Sequence, residues 1–263
     1  LEHLHLIQDK YRCLSPEHLV ALAHEMRLSL AEVYETATFY AHFDVLADDE
    51  PTPPEITVRV CDSIACEMAG AEALIDGLAG IAGDNVRIKR APCMGGCDCA
   101  PVAEIGHSQL SHATVASVTK AVADKAVAPA IPDYIDYDAY VAAGGYALLR
   151  DCISGKHSPD DIMDALDASG MRGLGGAGFP TGRKWRIVRD QPAPRMFAIN
   201  ADEGEPGTFK DRMFLETDPH RMLEGALIAA WAVGTETAYL YLRDEYAAIR
   251  HILQKEIARL VSE

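Results

Sequence analysis

The chain has 263 residues, a length that predicts about two domains, and its 40 acidic and 24 basic residues give a formal net charge of −16. This charge repels phosphate backbones, so the composition disfavours nucleic acid as a partner. No apolar run approaches the ~20 residues of a membrane helix and no secretory signal is present, which predicts a cytoplasmic protein that does not enter a membrane. The chain opens at Leu1 without an initiator Met, and we expect its true N-terminus to be missing.

The first 50 residues predict a helical unit. Ser15 stands before Pro16 and an amphipathic run, and Ser29 with Glu32 forms a capping box before a second apolar segment. Prolines then cluster at residues 51–54 and end the helical pattern. A linker therefore separates this unit from the next part of the chain.

Residues 55–127 alternate between strand and helix patterns. Strands are predicted over 56–60, 86–88 and 102–105, and helices over 67–78 and 112–126. Strands mixed with flanking helices over this length fit a thioredoxin-like layer.

Four cysteines follow two of these strands in tight pairs, Cys61 with Cys66 and Cys93 with Cys97. Four thiolates from two loops at one sheet edge can enclose an iron–sulfur cluster, and the glycines inside the second pair can turn N–H groups toward sulfur. Structural zinc also accepts four thiolates, so it remains an alternative, as does a disulfide or bare thiols. Cys99 and the two isolated cysteines, Cys13 and Cys152, are interpreted as packed apolar residues.

Residues 128–140 carry two prolines and no helical period, so we interpret them as a linker to a second domain over 141–263. That domain contains a stretch of five glycines between Met171 and Trp185. A Gly-x-Gly-x-x-Gly pattern starts at Gly173, but a helix rather than a strand is predicted before it, so an ordinary dinucleotide loop is rejected. A cradle for a nucleotide or flavin is predicted, with a flexible loop that binds nothing as the alternative.

A strand predicted over 195–200 runs directly into an acidic segment. Ligands of open α/β sheets collect at such carboxyl ends of strands. Asn200 can donate and accept hydrogen bonds, and the carboxylates of Asp202, Glu203 and Glu205 can accept them from sugar hydroxyls or a carboxamide. A solvated acidic turn is the alternative. A helix over 219–232, a strand over 237–242 and a helix over 245–260 complete the pattern.

These motifs resemble two subunits of respiratory complex I. The part of the chain that follows the helical unit resembles its thioredoxin-like [2Fe–2S] subunit, because it carries the cysteine pairs Cys61-x4-Cys66 and Cys93-x3-Cys97. The glycine stretch and the segment from Asn200 to Arg212 resemble its FMN- and NADH-binding subunit. The resemblance implies an α/β chain in which a helical unit and a thioredoxin-like [2Fe–2S] domain precede the start of a Rossmann-like FMN/NADH-binding domain.

Fusion of both modules is similar to the diaphorase subunits of soluble NAD-linked formate dehydrogenases and NAD-reducing hydrogenases. Hydrogenase versions commonly lack part of the N-terminal cysteine set, and Leu174 stands where complex I flavoproteins usually carry arginine. Both features favour the β subunit of a formate dehydrogenase, whose partner would be a catalytic α subunit with a molybdenum or tungsten cofactor and iron–sulfur clusters. A hydrogenase or complex I component, or a non-catalytic iron–sulfur electron-transfer module, remains the alternative.

Carried over position by position, the resemblance implies two sets of contacts. FMN would contact Gly173, Leu174, Gly175, Lys184, Asn200, Asp202 and Glu203. NAD(H) would contact Gly176, Ala177, Phe179 and Glu205, with Glu205 on the nicotinamide side as the catalytic residue. The family continues with further flavin-site elements and a [4Fe–4S] domain beyond the last residue here, so we expect the chain to be a fragment in which FMN is loosely held or absent.

Overall fold

The computed structural model describes residues 1–174 and 176–263, so the FMN contact predicted at Gly175 lies outside the described residues. Two compact units form, each from three chain segments. Unit 1 comprises Leu1–Ala130, Glu203–Phe209 and Asp244–Ala247. Unit 2 comprises Ile131–Asp202, Lys210–Arg243 and Ala248–Glu263. In the described part of the chain, no helix combines the length and the apolar character needed to cross a membrane.

Three helices open unit 1: α1 (Glu2–Tyr11), α2 (Pro16–Met26) and α3 (Leu30–Phe39). The predicted caps are present, because the Ser15 side chain accepts from the His18 N–H and the Ser29 side chain accepts from the Glu32 N–H. The helices enclose their own core of Leu4, Leu14, Leu19, Ala23, Val33, Ala37 and Phe43. Helix α1 lies within the helical unit predicted over residues 1–50, although its start was not identified, because Leu1 offers no N-cap side chain.

A four-stranded mixed sheet comes next in unit 1, with β1 (Ile56–Cys61), β2 (Val86–Ala91), β3 (Ala103–Ile105) and β4 (Ser108–Leu110) in the order β2-β1-β3-β4. Strand β1 runs parallel to β2 and antiparallel to β3. Helices α4 (Ile64–Met68), α5 (Ala71–Leu78) and α6 (Val115–Ala123) complete this part. Apolar residues of β1, β3, α5 and α6 form its core.

Two details of this sheet region differ from the predictions. The helix predicted over 67–78 is divided into α4 and α5 at Gly70, whose φ of +95° is incompatible with a continuous helix. The predicted strand over 102–105 continues through a tight turn into the unpredicted strand β4. Three-residue strands carry too little period-2 pattern to be recognised from sequence.

A buried carboxylate, Asp44, links the helical part of unit 1 to its sheet. It accepts hydrogen bonds from Gln8 of α1 and from Lys89 of β2, at 3.2 and 3.0 Å, and pairs with Arg59 and Arg87. Burial acts to raise the pKa of Asp44, but the hydrogen bond from Lys89 and the surrounding cations hold it below its ordinary value. The carboxylate is therefore charged and fully partnered at neutral pH.

Unit 2 contains seven helices and two parallel strands in the described residues. The elements are α7 (Tyr137–Ala142), α8 (Ala147–Ile153), α9 (Pro159–Ser169), α10 (Thr181–Arg189), β5 (Met196–Ala201), α11 (Lys210–Thr217), α12 (Pro219–Val233), β6 (Thr237–Leu242) and α13 (Ala247–Ser262). Strands β5 and β6 pair with Ile199 opposite Leu240, and α11 and α12 form the crossover between them. A parallel pair joined through helices is the beginning of a Rossmann-like layer.

A buried polar network holds the start of unit 2 against its last helices. His220 is fully buried, with Nε2 2.9 Å from Glu256 Oε2 and Nδ1 2.7 Å from the Tyr146 hydroxyl. Tyr134 donates to Glu256 Oε1 at 2.6 Å. The second half of the predicted linker is therefore packed into unit 2 and enters α7 at Tyr137, while its first residues lack regular structure.

Candidate functional site

The four paired cysteines meet at one edge of the unit 1 sheet. Strand β1 ends at Cys61 and α4 carries Cys66, whereas Cys93 follows β2 and Cys97 opens a 3-10 turn over Cys97–Cys99. The Cys61 thiol interacts with Cys66 and Cys93, and the Sγ atoms of Cys93 and Cys97 lie 3.3 Å apart. All seven cysteines of the chain are free of disulfides. The structure thus groups the predicted metal ligands in one place.

Backbone N–H groups of glycines point at two of these sulfur atoms. Gly95 donates to Cys93 Sγ at 3.4 Å, and Gly207 donates to Cys97 Sγ at 3.1 Å. Gly95 has a φ of +77°, and a Cβ there would collide with the Tyr246 ring. Only glycine therefore fits between the cysteine loop and Tyr246. N–H groups aimed at sulfur stabilise negative charge on thiolates, which fits a metal or cluster ligand set.

The thiols also perturb each other. The hydrogen bond with Cys66 raises the pKa of the Cys61 thiol, and the same contact lowers the pKa of Cys66. Such coupling requires close contact between the two sulfur atoms. Four thiol groups held this close can all ligate one metal group once they are deprotonated.

The other three cysteines pack as predicted. The Cys99 thiol is half-buried and donates to the Gly96 carbonyl at 3.3 Å. Cys13 and Cys152 are buried, and burial raises the pKa of both thiols. None of the three is placed in the four-thiol group by a hydrogen bond among the described residues.

The glycine stretch of unit 2 forms an open loop ahead of α10. Its base is closed by the Gly173 N–H, which donates to the Phe179 carbonyl at 2.9 Å. Gly176 and Gly178 have φ values of +104° and +59°, and a Cβ at either position would meet open space. Leu174 is 88% exposed and Ala177 is also exposed. The described part of the loop therefore offers accessible backbone to a ligand.

Positively charged groups follow this loop directly in the sequence. Lys184 lies exposed in the first turns of α10, whose N-terminus carries the positive end of the helix dipole. The Phe179 ring is half-exposed, and the Arg183 guanidinium carbon lies 5.7 Å from its centroid. Open backbone, a lysine and a helix N-terminus suit the phosphate of a bound nucleotide or flavin. Gly182, in contrast, is buried where a Cβ would meet Asp167 and Met163 of α9, so it serves helix packing.

Two of the four residues predicted at the end of β5 also belong to unit 2. Asn200 and Asp202 are exposed, and Asn200 Oδ1 accepts from the Asp202 N–H at 2.9 Å. Asn200 lines an open cavity of about 640 Å³ whose walls are mostly apolar, with Ile199 and Phe214 among them. A cavity of this size and character suits a small ligand with an aromatic ring system.

The two remaining predicted residues, Glu203 and Glu205, lie in a segment that belongs to unit 1. Glu203 is buried and accepts a hydrogen bond from the Tyr246 hydroxyl at 3.1 Å. Glu205 is exposed, and its carbonyl accepts from Thr208.

Three residues of these sites were not predicted from the sequence. Gly207 supplies an N–H to Cys97, Tyr246 contacts both Glu203 and the cysteine loop, and Arg183 covers Phe179. Gly207 reaches Cys97, and Tyr246 reaches Gly95, from more than a hundred positions away in sequence, and a single sequence carries no signal for such contacts. Arg183 is only four positions from Phe179, a spacing at which side chains on one helix turn meet.

Two family models match this chain. Residues 1–126 match the thioredoxin-like [2Fe-2S] ferredoxin model, and residues 166–263 match the Nuo51 FMN-binding domain model. The chain is therefore an α/β protein in which a thioredoxin-like [2Fe–2S] domain is followed by an FMN-binding domain. These matches confirm the predicted fold class, and they favour a [2Fe–2S] cluster over zinc for the four cysteines.

Similar proteins carry one or both of these modules. The chain is 30% identical over 289 residues to the NAD-reducing hydrogenase HoxS subunit alpha of Cupriavidus necator, an alignment covering 97% of this chain and 47% of the relative. It is 49% identical over 120 residues to an NADH-quinone oxidoreductase subunit of Aquifex aeolicus, covering 46% of this chain and 28% of that protein.

A solved NAD+-reducing [NiFe]-hydrogenase in the air-oxidized state superimposes with a TM-score of 0.78 at 28% identity, over 99% of this chain and 49% of that one. The chain thus spans less than half the length of each of these proteins.

Proposed function

We propose that this chain belongs to the diaphorase subunit of an NAD-dependent oxidoreductase, which exchanges hydride with NAD(H) at FMN and passes single electrons through iron–sulfur clusters. The observation that carries the proposal is the presence, in one chain, of an FMN-binding domain and a [2Fe–2S] domain whose four thiols are grouped and hydrogen-bonded. Relatives that share these domains are named for reactions of NAD or NADH.

In this proposal the [2Fe–2S] cluster is held by the four thiolates of Cys61, Cys66, Cys93 and Cys97. FMN, when bound, supplies the chemistry that converts a two-electron hydride into single electrons. The chain's own residues would bind and orient it: Lys184 and the α10 N-terminus would hold the phosphate, and the exposed backbone at Gly173 and Leu174 would contact the cofactor. Gly175, which lies outside the described residues, is a third contact that the resemblance implies. Asn200, Asp202 and Glu203 would hydrogen-bond the flavin or its ribityl chain.

The same proposal assigns Gly176, Ala177, Phe179 and Glu205 to NAD(H). The half-exposed Phe179 ring offers a stacking face for the adenine, and the Arg183 contact keeps it oriented. Glu205 is exposed and can accept a hydrogen bond from the nicotinamide carboxamide, which would fix the reacting carbon relative to the flavin.

For the electron partner we propose formate oxidation by a catalytic α subunit with a molybdenum or tungsten cofactor, in the cytoplasm. The complete set of four cysteines supports this choice over a hydrogenase. A hydrogenase partner is the second candidate, and the likeness to NAD-reducing hydrogenases over nearly the whole chain supports it equally.

Purification of the intact native complex under anaerobic conditions tests both levels of the proposal. For a diaphorase we expect FMN to be released on denaturation and the native complex to oxidise NADH with an artificial acceptor. A complex without flavin would overturn the diaphorase function and indicate a non-catalytic iron–sulfur electron-transfer module. Elemental analysis of the co-purified subunits then identifies the partner. Molybdenum or tungsten supports formate, and nickel overturns that choice while leaving the diaphorase function intact.

A further inference from the structure

Three histidines from separate elements of unit 1 lie close together. His5 lies in α1, His42 follows α3, and His107 lies in the turn between β3 and β4. One nitrogen of each ring lies within 4.8 Å of the other two. The ring centroids are 4.9 to 5.7 Å apart. Nothing in the proposed electron-transfer function uses these residues.

One of these rings has an unexplained buried nitrogen. His5 is 5% exposed, and its Nε2 lies 2.6 Å from Asp244 Oδ1. Its other nitrogen, Nδ1, is buried without a hydrogen-bond partner among the described residues. A buried polar atom without a hydrogen bond lowers folding stability by about 1–3 kcal/mol. Such an atom therefore needs a physical explanation, and a bound ligand is one.

Each of the three rings also faces a carboxylate. For His107, Nε2 lies 3.0 Å from Asp9 Oδ1. For His42, Nδ1 lies 3.6 Å from Glu104 Oε1. For His5, the carboxylate is that of Asp244, beside Nε2. A carboxylate behind one imidazole nitrogen fixes the ring and makes the other nitrogen a better metal ligand. The second nitrogen of each ring is the one that remains to bind an ion.

The surrounding charge suits a cation. Three carboxylates face the rings, and the Arg59 guanidinium near them is itself paired with Asp44 and Glu104. An open cavity of about 470 Å³, lined by Asp9, His42 and His107, gives an ion a path to the cluster of histidines.

We propose that His5, His42 and His107 bind a divalent transition-metal ion, with Zn²⁺ as the probe. Imidazole nitrogen suits zinc, and a tetrahedral ion with bonds of 2.0–2.1 Å needs nitrogens about 3.4 Å apart. The His42 and His107 rings are nearly parallel, at 14°, so one ring turns about its Cβ–Cγ bond, a soft torsion, when the ion binds. The bound ion would join α1 to the sheet of unit 1.

Zinc binding to the complete subunit, with its clusters assembled, tests this site. After equilibrium dialysis against ZnCl2, we expect one additional zinc per chain and an X-ray absorption shell of nitrogen or oxygen at 2.0–2.1 Å. A sulfur shell near 2.3 Å would place the zinc in a cysteine site and overturn the proposal, as would the absence of bound zinc.

Two substitutions separate the site from surface binding. Replacing the half-buried ligand, His107→Gln, is expected to weaken zinc binding by roughly a hundredfold or more. Asp9→Asn, which keeps all three ligands, is expected to weaken it by about 10- to 100-fold. His24→Gln, at an exposed histidine of α2, is the matched control and should bind zinc like the wild type. Equal affinity in all three variants would refute the assignment, and circular dichroism checks that each variant is folded.

Discussion

The backbone N–H of Gly207 lies 3.1 Å from the sulfur of Cys97, although 110 positions separate the two residues in sequence. The segment that carries Gly207 also contains Glu203 and Glu205, which the resemblance assigns to FMN and NAD(H). A hydrogen bond from this segment therefore reaches Cys97, one of the four cysteines that we propose as ligands of the [2Fe–2S] cluster. Hydrogen bonds to cluster sulfurs stabilise the reduced form and raise the reduction potential.

Replacing this donor residue, Gly207→Ala, is expected to lower the potential of the cluster. Gly207 has a φ of +95°, so an alanine must shift the backbone and lengthen the N–H···S contact. Loss of a hydrogen bond worth about 0.5–1 kcal/mol corresponds to roughly 20–45 mV for one electron. An EPR-monitored redox titration measures this change. Gly204→Ala, in open space of the same segment, should leave the potential unchanged, and equal potentials in both variants would remove Gly207 from this role.

The substitution Gly95→Ala should destabilise unit 1 and impair cluster retention. The φ of +77° disfavours alanine, and the added methyl would meet the Tyr246 ring, whose hydroxyl oxygen lies 2.7 Å from the Cβ position. Together these effects predict a loss of about 1–3 kcal/mol and less iron per chain. Thermal unfolding and iron analysis measure both. Gly83→Ala, where a methyl enters open space, is the control; identical melting of the two variants would contradict the predicted strain.

The change Asp44→Asn is expected to destabilise the chain by about 2–4 kcal/mol at pH 7, since it leaves Arg59 and Lys89 facing a neutral amide. The pKa of Asp44 in the folded protein lies below the value of about 3.9 that it has in the unfolded chain. The contribution of the ionised carboxylate to folding stability is therefore present above pH 3.9. It is lost as the pH falls from there through the folded pKa, because the carboxylate becomes protonated. Denaturant unfolding from pH 7 to pH 3 should show the stability difference between the variant and the wild type becoming smaller at the acid end. The exposed Asp48→Asn serves as control, and a constant gap at all pH values would argue against the ionic contribution.

Removing a proposed phosphate contact, Lys184→Ala, should weaken FMN binding by roughly 10- to 100-fold, as expected for a charge-assisted hydrogen bond of about 1.5–3 kcal/mol. Quenching of flavin fluorescence on titration of the complete apo-subunit measures the dissociation constant. Lys156→Ala removes an exposed lysine of the same unit that pairs with Asp151, and it should bind FMN normally. If both variants bind with wild-type affinity, Lys184 is not an FMN ligand.

Local features of the fold could be predicted from the sequence because their signals are local. Ser29 and Glu32 form the predicted capping box, and Ser158 caps α9 with Pro159 at its first position. Strands β1 and β2 have strong strand patterns and form where strands were predicted. The cysteine pairs could be placed at one sheet edge because each follows a strand.

Long-range features could not be predicted in this way. The contact of Tyr134 with Glu256 joins residues 122 positions apart, and no periodicity in residues 128–140 indicated that they would pack against α13. The three clustered histidines lie in a helix and two loops of the sequence, and each taken alone is an ordinary polar residue. Such pairings result from the path of the chain, which a single sequence does not specify.

The division of unit 1 into three chain segments limits how it can be produced separately. A polypeptide cut after Ala130 would keep all four cluster cysteines. It would lack Gly207, Tyr246 and Asp244, and with them the amide that faces Cys97, the phenol that packs on Gly95 and the carboxylate that holds His5. Spectra recorded on such a truncated polypeptide would therefore describe the proposed cluster in altered surroundings, and its reduction potential should be measured on a polypeptide that keeps all three segments of unit 1.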